Sequence, residues 1–409
     1  MKIRSITYFT NIGWPIKEEK VNEAGLFLFA AKNEFEKAGF EVQTTRLATT
    51  PFPTILGTDL IGLLPRMAQK LDGMLASHSI DFASLGPATY DVPESYELVS
   101  DAISVTQNIF FSGVIADHQS GVHLRHLRSA AKLILDNSKA SKDGFGNLRF
   151  TALANVKPGS PFFPAAYHMG DLPTFAIAVE AADLAVDAFS NAGTLGEGGK
   201  AFQLAVQAAV AKLNSAADQL KYRFNIRFGG IDFSLAPFPG MQTSIGAAIE
   251  SFGIQQIGNH GSLAAAGILM SYLDQCELPR VGFSGLMFPV LEDSALAKSA
   301  TDGVLSIKDL LLYSTVCGSG LDTIPLPGDT SIDQIYALLC DVAVLSLRLN
   351  KQLTTRLLPV PGKKAGEMTD FEFDYFVNGN VLPIDAKPLR SLLAAPEILN
   401  INSRYESQK

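Results

Sequence analysis

Short β-branched and aromatic runs alternate with longer stretches of helical period along nearly the whole chain, and this alternation limits the fold more than any other feature. It begins with "IRSITYFT", passes through a helix-period stretch from Lys17 to Ala38, and returns to "FEVQTTRLAT". Further strand candidates are "IDFASLGP", "NIFFSGVIAD", "RFTALANV", "RFGGIDFSLAP", "RVGFSGLMFPV", "LDTIPLPG" and "LTTRLLPVPG", most of them followed by a helical run. That order is the signature of an α/β protein. Roughly nine or ten strands exceed a simple dinucleotide-binding fold and predict a barrel, or a large sheet, enclosed by helices.

The alanine-rich stretches "AIAVEAADLAVDAF" and "AFQLAVQAAVAKLNSAADQL" read as helices, joined by a short connector at "NAGTLGEGGKA". No Pro- or Ser-rich linker divides the chain, and 47% hydrophobic residues over 409 positions supply a large core, so 1–409 reads as a single domain. From about residue 367, "EMTDFEFDYFVNGNVLPID" alternates apolar and acidic residues and predicts a hairpin followed by a polar tail.

A formal net charge of −8 and a pI near 5.3 argue against a nucleic-acid partner, which needs a concentrated basic face. No apolar run reaches bilayer length, and "MKIRSITYFTNIGW" is unlike a signal peptide, so no membrane role is expected. The three cysteines, Cys276, Cys317 and Cys340, are too scattered for a zinc site or a disulfide framework and fit a reducing cytoplasm.

Active sites in α/β proteins gather where strand ends meet the following loops. "GGIDFSLAPFPG" sets Asp232 and Ser234 at such an end, where the carboxylate suits a general base or metal ligand as well as a plain turn or cap. "IGNHGSLAAAG" places Asn259 and His260 ahead of a helix whose free amides suit an anion, with N-capping as the blander role. "PFFPAAYHMGD" holds His168 in a proline-bounded loop, as a proton carrier or a packed ring. His123 and His126 in "ADHQSGVHLRHL" sit three apart but lack a His-Glu-x-x-His carboxylate, so they read as a solvated face. In "TVCGSGLDTIPLPGDTS", Asp322 begins a strand, Thr330 or Ser331 caps the next helix, and Cys317 reads as buried. "TTRLLPVPGKKAGE" offers Arg356 and Lys364 as a grip on carboxylate or phosphate. "GTLGEGGKA" misses the spacing of a phosphate-binding loop, and no nucleotide-cofactor motif occurs. "RVGFSGLMFPVLED", residues 280–293, nearly spells the Arg-Val-x-Gly-aromatic sequence of glycyl-radical enzymes. It lacks the residue between Val281 and Gly282 and lies well inside the chain, so stored-radical chemistry is not expected.

Taken in order, "FGGIDFSLAPFPG", "IGNHGSLAAAG", "GFSGLMFPVLED" and "CGSGLDTIPLPGDT" resemble an uncharacterised bacterial and archaeal family, the domain-of-unknown-function 711 family, also called uncharacterised protein family 0210. The resemblance is strongest from about Arg227 to Glu367, weaker through "PGSPFFPAAYHMGD", and in the N-terminal third rests on element order. It implies a barrel like that of pyruvate formate-lyase, in which parallel half-barrels are enclosed by helices. The family pattern falls on His168, Asp232, Ser234, Pro237, His260, Gly261, Ser284, Gly285, Glu292, Asp293, Cys317, Asp322, Asp329 and Arg356. Asn259 stands where that pattern has a threonine and Met169 where it has a glycine, and the resemblance carries no chemistry with it.

The residues themselves predict a cytoplasmic enzyme, of hydrolase or lyase type, that acts on a small polar or anionic metabolite by acid–base chemistry. His168, His260 and Asp232 are its expected catalytic groups, and Ser234, Asn259, Ser284, Arg356 and Lys364 its expected substrate contacts. A divalent metal would fall to Asp232, His260, Glu292 or Asp322. The rival expectation is a metabolite-binding or regulatory protein without turnover, and the geometry that separates the two is convergence of His168, His260 and Asp232 on one pocket. Alanine-rich helical surface predicts a homo-oligomer.

Overall fold

The alternation of strands and helices becomes one mixed sheet with helices packed against it, in a computed structural model that describes residues 1–141 and 143–404. Its main strands are β1 (Lys2–Thr10), β2 (Val42–Thr49), β3 (Phe82–Ala88), β4 (Ile109–Asp117), β5 (Gly121–His123), β6 (Phe150–Ala154), β7 (Thr174–Glu180), β8 (Arg227–Asp232), β9 (Gly320–Pro327) and β10 (Leu353–Val360). All but β5, which pairs with β4 off this path, lie in the order β8-β7-β1-β2-β3-β4-β6-β10-β9. β1, β2, β3, β4 and β6 run parallel, as do β7 with β8 and β9 with β10. The two parallel groups meet head to tail at antiparallel seams, β1 against β7 and β6 against β10. A two-residue strand in the tail, Ile398–Leu399, pairs with β5.

The stretch expected as a strand at "RVGFSGLMFPV" forms no regular ladder. It lies between the free edges of β8 and β9 and touches both through isolated parallel bridges, Ile231 with Arg280, Leu235 with Leu286, and Pro289 with Asp322. Ile231 N donates to Pro279 O at 2.7 Å, Leu235 N to Gly285 O at 2.9 Å and Val290 N to Asp322 O at 3.2 Å. Positive φ at Gly282 (65°) and Ser284 (40°) turns the backbone out of the extended region, which is why the ladder does not close continuously here. Gly285 also meets Gly318 so closely that a Cβ on either would come within 3.0 Å of the other's Cα.

Two helix expectations change. "AIAVE" belongs to β7, and the helix begins only at Ala182. Alanine tolerates either state, and a strand covered on both faces shows no alternation that would give it away. The connector at "NAGTLGEGGKA" is shorter than expected, because the helix Leu195–Phe224 already starts within it, capped by the Thr194 hydroxyl, which accepts from Glu197 N. Residues 366–381 double back without forming regular strands, with Thr369 N donating to Gly379 O at 3.0 Å and Val381 N to Glu367 O at 2.9 Å. His126 is not on a solvated face. It is buried and stacks on Tyr96 at 5.5 Å and on His123 at 5.2 Å, and burial, followed by the neighbouring charges of His123 and Arg125, lowers its pKa to about 4.

Ile6 and Tyr8 of β1 join the main apolar core with helix residues such as Val21 and Phe27, while Phe9 packs on the other side with Phe110 and Phe163. That second side is filled by the loop after β6. Its Ala166 carbonyl accepts from Ser84 Oγ at 2.7 Å, and its Pro161 carbonyl from the hydroxyls of Ser5 at 3.4 Å and Thr7 at 3.5 Å. Buried loop backbone is tolerable only with such partners. No helix among the described residues is long and apolar enough to cross a membrane.

A tight joint lies where Gly282 meets Asp232, since an added Cβ would stand 2.2 Å from Asp232 Oδ2 at a φ of +65°. Gly282→Ala should therefore cost about 2 kcal/mol or more, read from chemical denaturation, through left-handed strain and a disturbed buried carboxylate.

Candidate functional site

Five buried or nearly buried side chains of alternating sign form a chain through the structure. Arg4 of β1 contacts Glu180 of β7 at 3.6 Å and Glu292 at 2.7 Å. Arg356 of β10 holds the other oxygen of Glu292 at 2.9 Å and, through Nε, Asp322 of β9 at 2.6 Å. Gln43 Nε2 donates to Glu180 at 2.6 Å. Burial opposes the charge on every carboxylate, and the outcome differs along the chain. Glu292 lies between two guanidiniums, and Arg4 and then Arg356 outweigh its burial and hold its pKa below the ordinary value. Asp322 is raised by burial despite Arg356, with the Glu292 charge adding to the shift, and its Oδ2 has no hydrogen-bond partner among the described residues. Glu180 is likewise raised by burial against the pull of Arg4 and Gln43.

A cavity of about 480 Å³ opens onto this chain, within the size range of small-molecule sites. Four arginines line it, and three are committed: Arg4 and Arg356 to carboxylates, and Arg149 to the carbonyls of Thr106 and Ile103, each at 2.8 Å. Arg46 of β2 differs. Its Nε donates to Thr44 Oγ1 at 2.8 Å, and its guanidinium lies 5.0 Å from the Phe163 ring and 5.9 Å from that of Phe82. Among the described residues no carboxylate pairs with it, and neither terminal NH₂ group has a hydrogen-bond partner. Arg46 is only 9% exposed, and burial, followed by the repulsion of Arg4, pushes its pKa down to about 9, which leaves it charged at neutral pH.

A larger, more open cleft of about 990 Å³ lies on Ser284, Cys317 and Lys351. Two of its cations already have partners: Arg280 donates to Leu273 O at 2.6 Å, and Lys351 to the carbonyls of Ser314 and Cys317, while the third, Lys157, is exposed to solvent. The interior cavity, with its unpaired guanidinium, is the stronger candidate.

The residues singled out in the sequence fall into separate places. Asp232 is buried at the end of β8 and accepts from Ser234 Oγ at 2.5 Å, Ser284 N at 2.9 Å and Phe283 N at 3.0 Å. Burial raises its pKa against these bonds, and together they form a structural knot that ties β8 to the segment at 280–290. Ser284 Oγ completes it by accepting from Phe233 N at 3.1 Å. His168 is buried in the interior loop, where its Nε2 donates to Gly170 O at 2.8 Å and its backbone N to Thr49 O at 2.9 Å; burial lowers its pKa. His260 and Asn259 are exposed ahead of the helix Ser262–Asp274, whose N-cap is Gly261. Lys364 is exposed, with its backbone N donating to Glu367 at 2.6 Å. His168, His260 and Asp232 share none of the cavities described, and Arg356 is spent on Glu292 and Asp322 and is not free to grip a substrate. Asp293 caps the helix Ser294–Thr301, Ser331 caps Ile332–Leu349 through a capping box with Gln334, and Cys317 is buried.

The metal candidates do not form a ligand set. Asp232 already accepts from three donors, Glu292 and Asp322 face guanidiniums, and His260 is at the surface; no group of three His, Cys, Asp or Glu among the described residues is placed to hold a metal ion.

Sequence reasoning missed Arg4, Glu180 and Arg46. One signal was present: "TTRL" occurs in both β2 and β10, an arginine behind two threonines inside an otherwise buried strand. A cation at such a position has to find a partner indoors.

The sequence family described as Uncharacterised ACR (DUF711) matches residues 1–377. Among similar curated proteins, a UPF0210 protein of Clostridium botulinum (strain Alaska E43 / Type E3) is 26% identical over 386 residues, covering 86% of this chain and 82% of the relative. One of Pyrobaculum islandicum is 27% identical over 386 residues, covering 89% and 83%, and one of Oenococcus oeni 27% over 379 residues, covering 86% and 81%.

Two substitutions probe the charge chain. Arg356→Met should lower stability by about 3–5 kcal/mol in urea denaturation, because it leaves two buried carboxylates facing one another without their shared cation. The folded-state pKa of Glu180 lies above its ordinary 4.5, so its contribution to stability is full below that value and is lost as pH rises through the higher folded pKa. Glu180→Gln should match wild type in melting temperature near pH ~4 and gain on it toward neutrality; a gap that moves the other way would mean that the Arg4 attraction outweighs burial.

Proposed function

This chain belongs to the family described as Uncharacterised ACR (DUF711), and for it we propose the uptake of a small organic anion into the interior cavity beside Arg46. One observation carries the reading: a guanidinium that is 9% exposed, charged at neutral pH and in contact with no carboxylate among the described residues stands in the cavity wall. A buried cation that no anion contacts destabilises a fold. It is tolerable where a ligand brings the missing charge. Because His168, His260 and Asp232 do not share a cavity, anion binding is the leading reading and the anion grip passes from Arg356 and Lys364 to Arg46.

Acid–base turnover of the bound anion is the second reading. It is supported by the pair Glu292 and Asp322, which share Arg356 while one is held ionised and the other is pushed toward its neutral form, the separation that acid–base sites exploit. Glu292 lines the cavity and is the group that would meet the ligand; Asp322 would act through Arg356 as a positioning residue. With this reading go a reducing cytoplasm, supported by three free cysteines, and self-association through the helix Glu18–Lys37, where Leu26 and Phe29 stand exposed.

Arg46→Met tests the proposal by separating stability from binding. The unliganded variant should be as stable as wild type or more stable by about 1–2 kcal/mol, since it loses an unpaired buried charge. Small carboxylates should raise the melting temperature of wild type and not of the variant. If no small anion shifts wild type, or both proteins shift alike, the site is wrong. Turnover is decided by following the bound anion by NMR: conversion by wild type and not by Glu292→Gln selects the enzyme, and an unchanged ligand selects the binding protein.

A further inference from the structure

We infer that the anion is an aromatic monocarboxylate, its carboxylate on Arg46 and its ring among the phenylalanines of the cavity wall. The inference rests on the anion-binding reading above and adds the chemical class. Arg46 offers two terminal NH₂ groups side by side, since Nε is occupied by Thr44, and that edge matches the two oxygens of one carboxylate. The flanking rings of Phe163 and Phe82 hold the guanidinium in place before the ligand arrives.

The rest of the wall decides against other anions. A phosphate group is met by several donors, as backbone amides at a helix start or as clustered cations. Here the other lining arginines are already bound to protein acceptors, and the Glu292 carboxylate lines the same cavity and repels a second negative charge. Apart from its polar and charged groups, the wall is chiefly aromatic. Phe110 stands 5.4 Å from both Phe82 and Phe163 in edge-on arrangements, and Phe145 stands 5.0 Å from Phe373, brought in by the doubled-back segment at 366–381. Rings that meet edge to face favour a further flat ring over a flexible chain. About 480 Å³ admits one or two rings and excludes a lipid-sized body.

Isothermal titration of the full chain with benzoate, indole-3-acetate, cyclohexanecarboxylate, inorganic phosphate and benzyl alcohol tests this. The aromatic carboxylates should bind about threefold or more tightly than the alicyclic one, and about tenfold or more tightly than phosphate and benzyl alcohol. Arg46→Met should lose about tenfold or more of the benzoate affinity, with Arg46→Lys, which keeps the charge without the paired edge, as the second variant should the first not fold. Phe110→Leu should remove the preference for aromatic over alicyclic carboxylate while leaving the response to Arg46 in place. Equal or tighter binding of cyclohexanecarboxylate or phosphate, still lost on Arg46 substitution, overturns the aromatic class and leaves the anion site standing. Affinity that ignores Arg46, or no binding by any anion, overturns both.

Discussion

The arrangement depends on a chain of charges, Glu180 to Arg4 to Glu292 to Arg356 to Asp322, whose members come from β7, β1, the end of the irregular segment, β10 and β9. Each internal member touches two of opposite sign. That is the condition under which buried ions are tolerated, because attraction in a low-dielectric interior must offset the loss of water at both partners. The chain reaches across both parallel groups of strands, so it specifies how the two groups meet as well as occupying the space between them. Hydrophobic residues of similar volume could fill that space at no greater cost. What they could not do is hold one carboxylate ionised beside another that resists ionisation.

Arg46 is the cation this scheme leaves out. It lies on the same side of the sheet, is just as shielded from solvent, and makes do with a threonine hydroxyl and two ring faces. Ring faces return only part of the hydration a guanidinium loses. The contrast with Arg356, whose position also reads "TTRL" but which finds two carboxylates, shows that the local sequence does not dictate pairing. Pairing depends on what the neighbouring strands present.

That dependence explains what was legible in the sequence. Strands with clear turn signals at their ends, such as β1, β4 and β10, and helices with strong alanine content, such as Leu195–Phe224, follow from local pattern. β7 did not, because it is covered on both faces and its alanines suit a helix equally well. Of the site, Asp322 was visible as an acid at the start of a strand, Arg356 as an anion grip within one, and Glu292 through the family pattern and as a metal candidate, whereas Arg4, Glu180 and Arg46 gain their meaning only from partners far away in the chain. His260 shows the opposite error: a histidine before a helix looks chemical in one dimension and is an exposed side chain in three. Asp232 is a subtler case, since it is buried and raised in pKa, yet the bonds it accepts go to holding two backbone amides and the neighbouring Ser234 hydroxyl.

The segment that spans the two edges of the sheet also supplies the central carboxylate of the charge chain. Asp322 accepts from Val290 N through its backbone carbonyl, which draws the irregular segment onto β9, while its side chain holds Arg356 on β10. Two residues beyond that bridge, the chain delivers Glu292 between Arg356 and Arg4. A regular strand with full ladder pairing would spend every backbone group at this edge on its neighbours. The glycine-turned segment keeps contact at a few points and leaves the backbone free to bend around Asp232 at one end and to aim Glu292 inward at the other. The stretch that most resembled a radical-storage motif in sequence therefore acts through its shape. Its glycines supply the curvature that lets one segment join both edges of the sheet and place the carboxylate on which the interior charges converge.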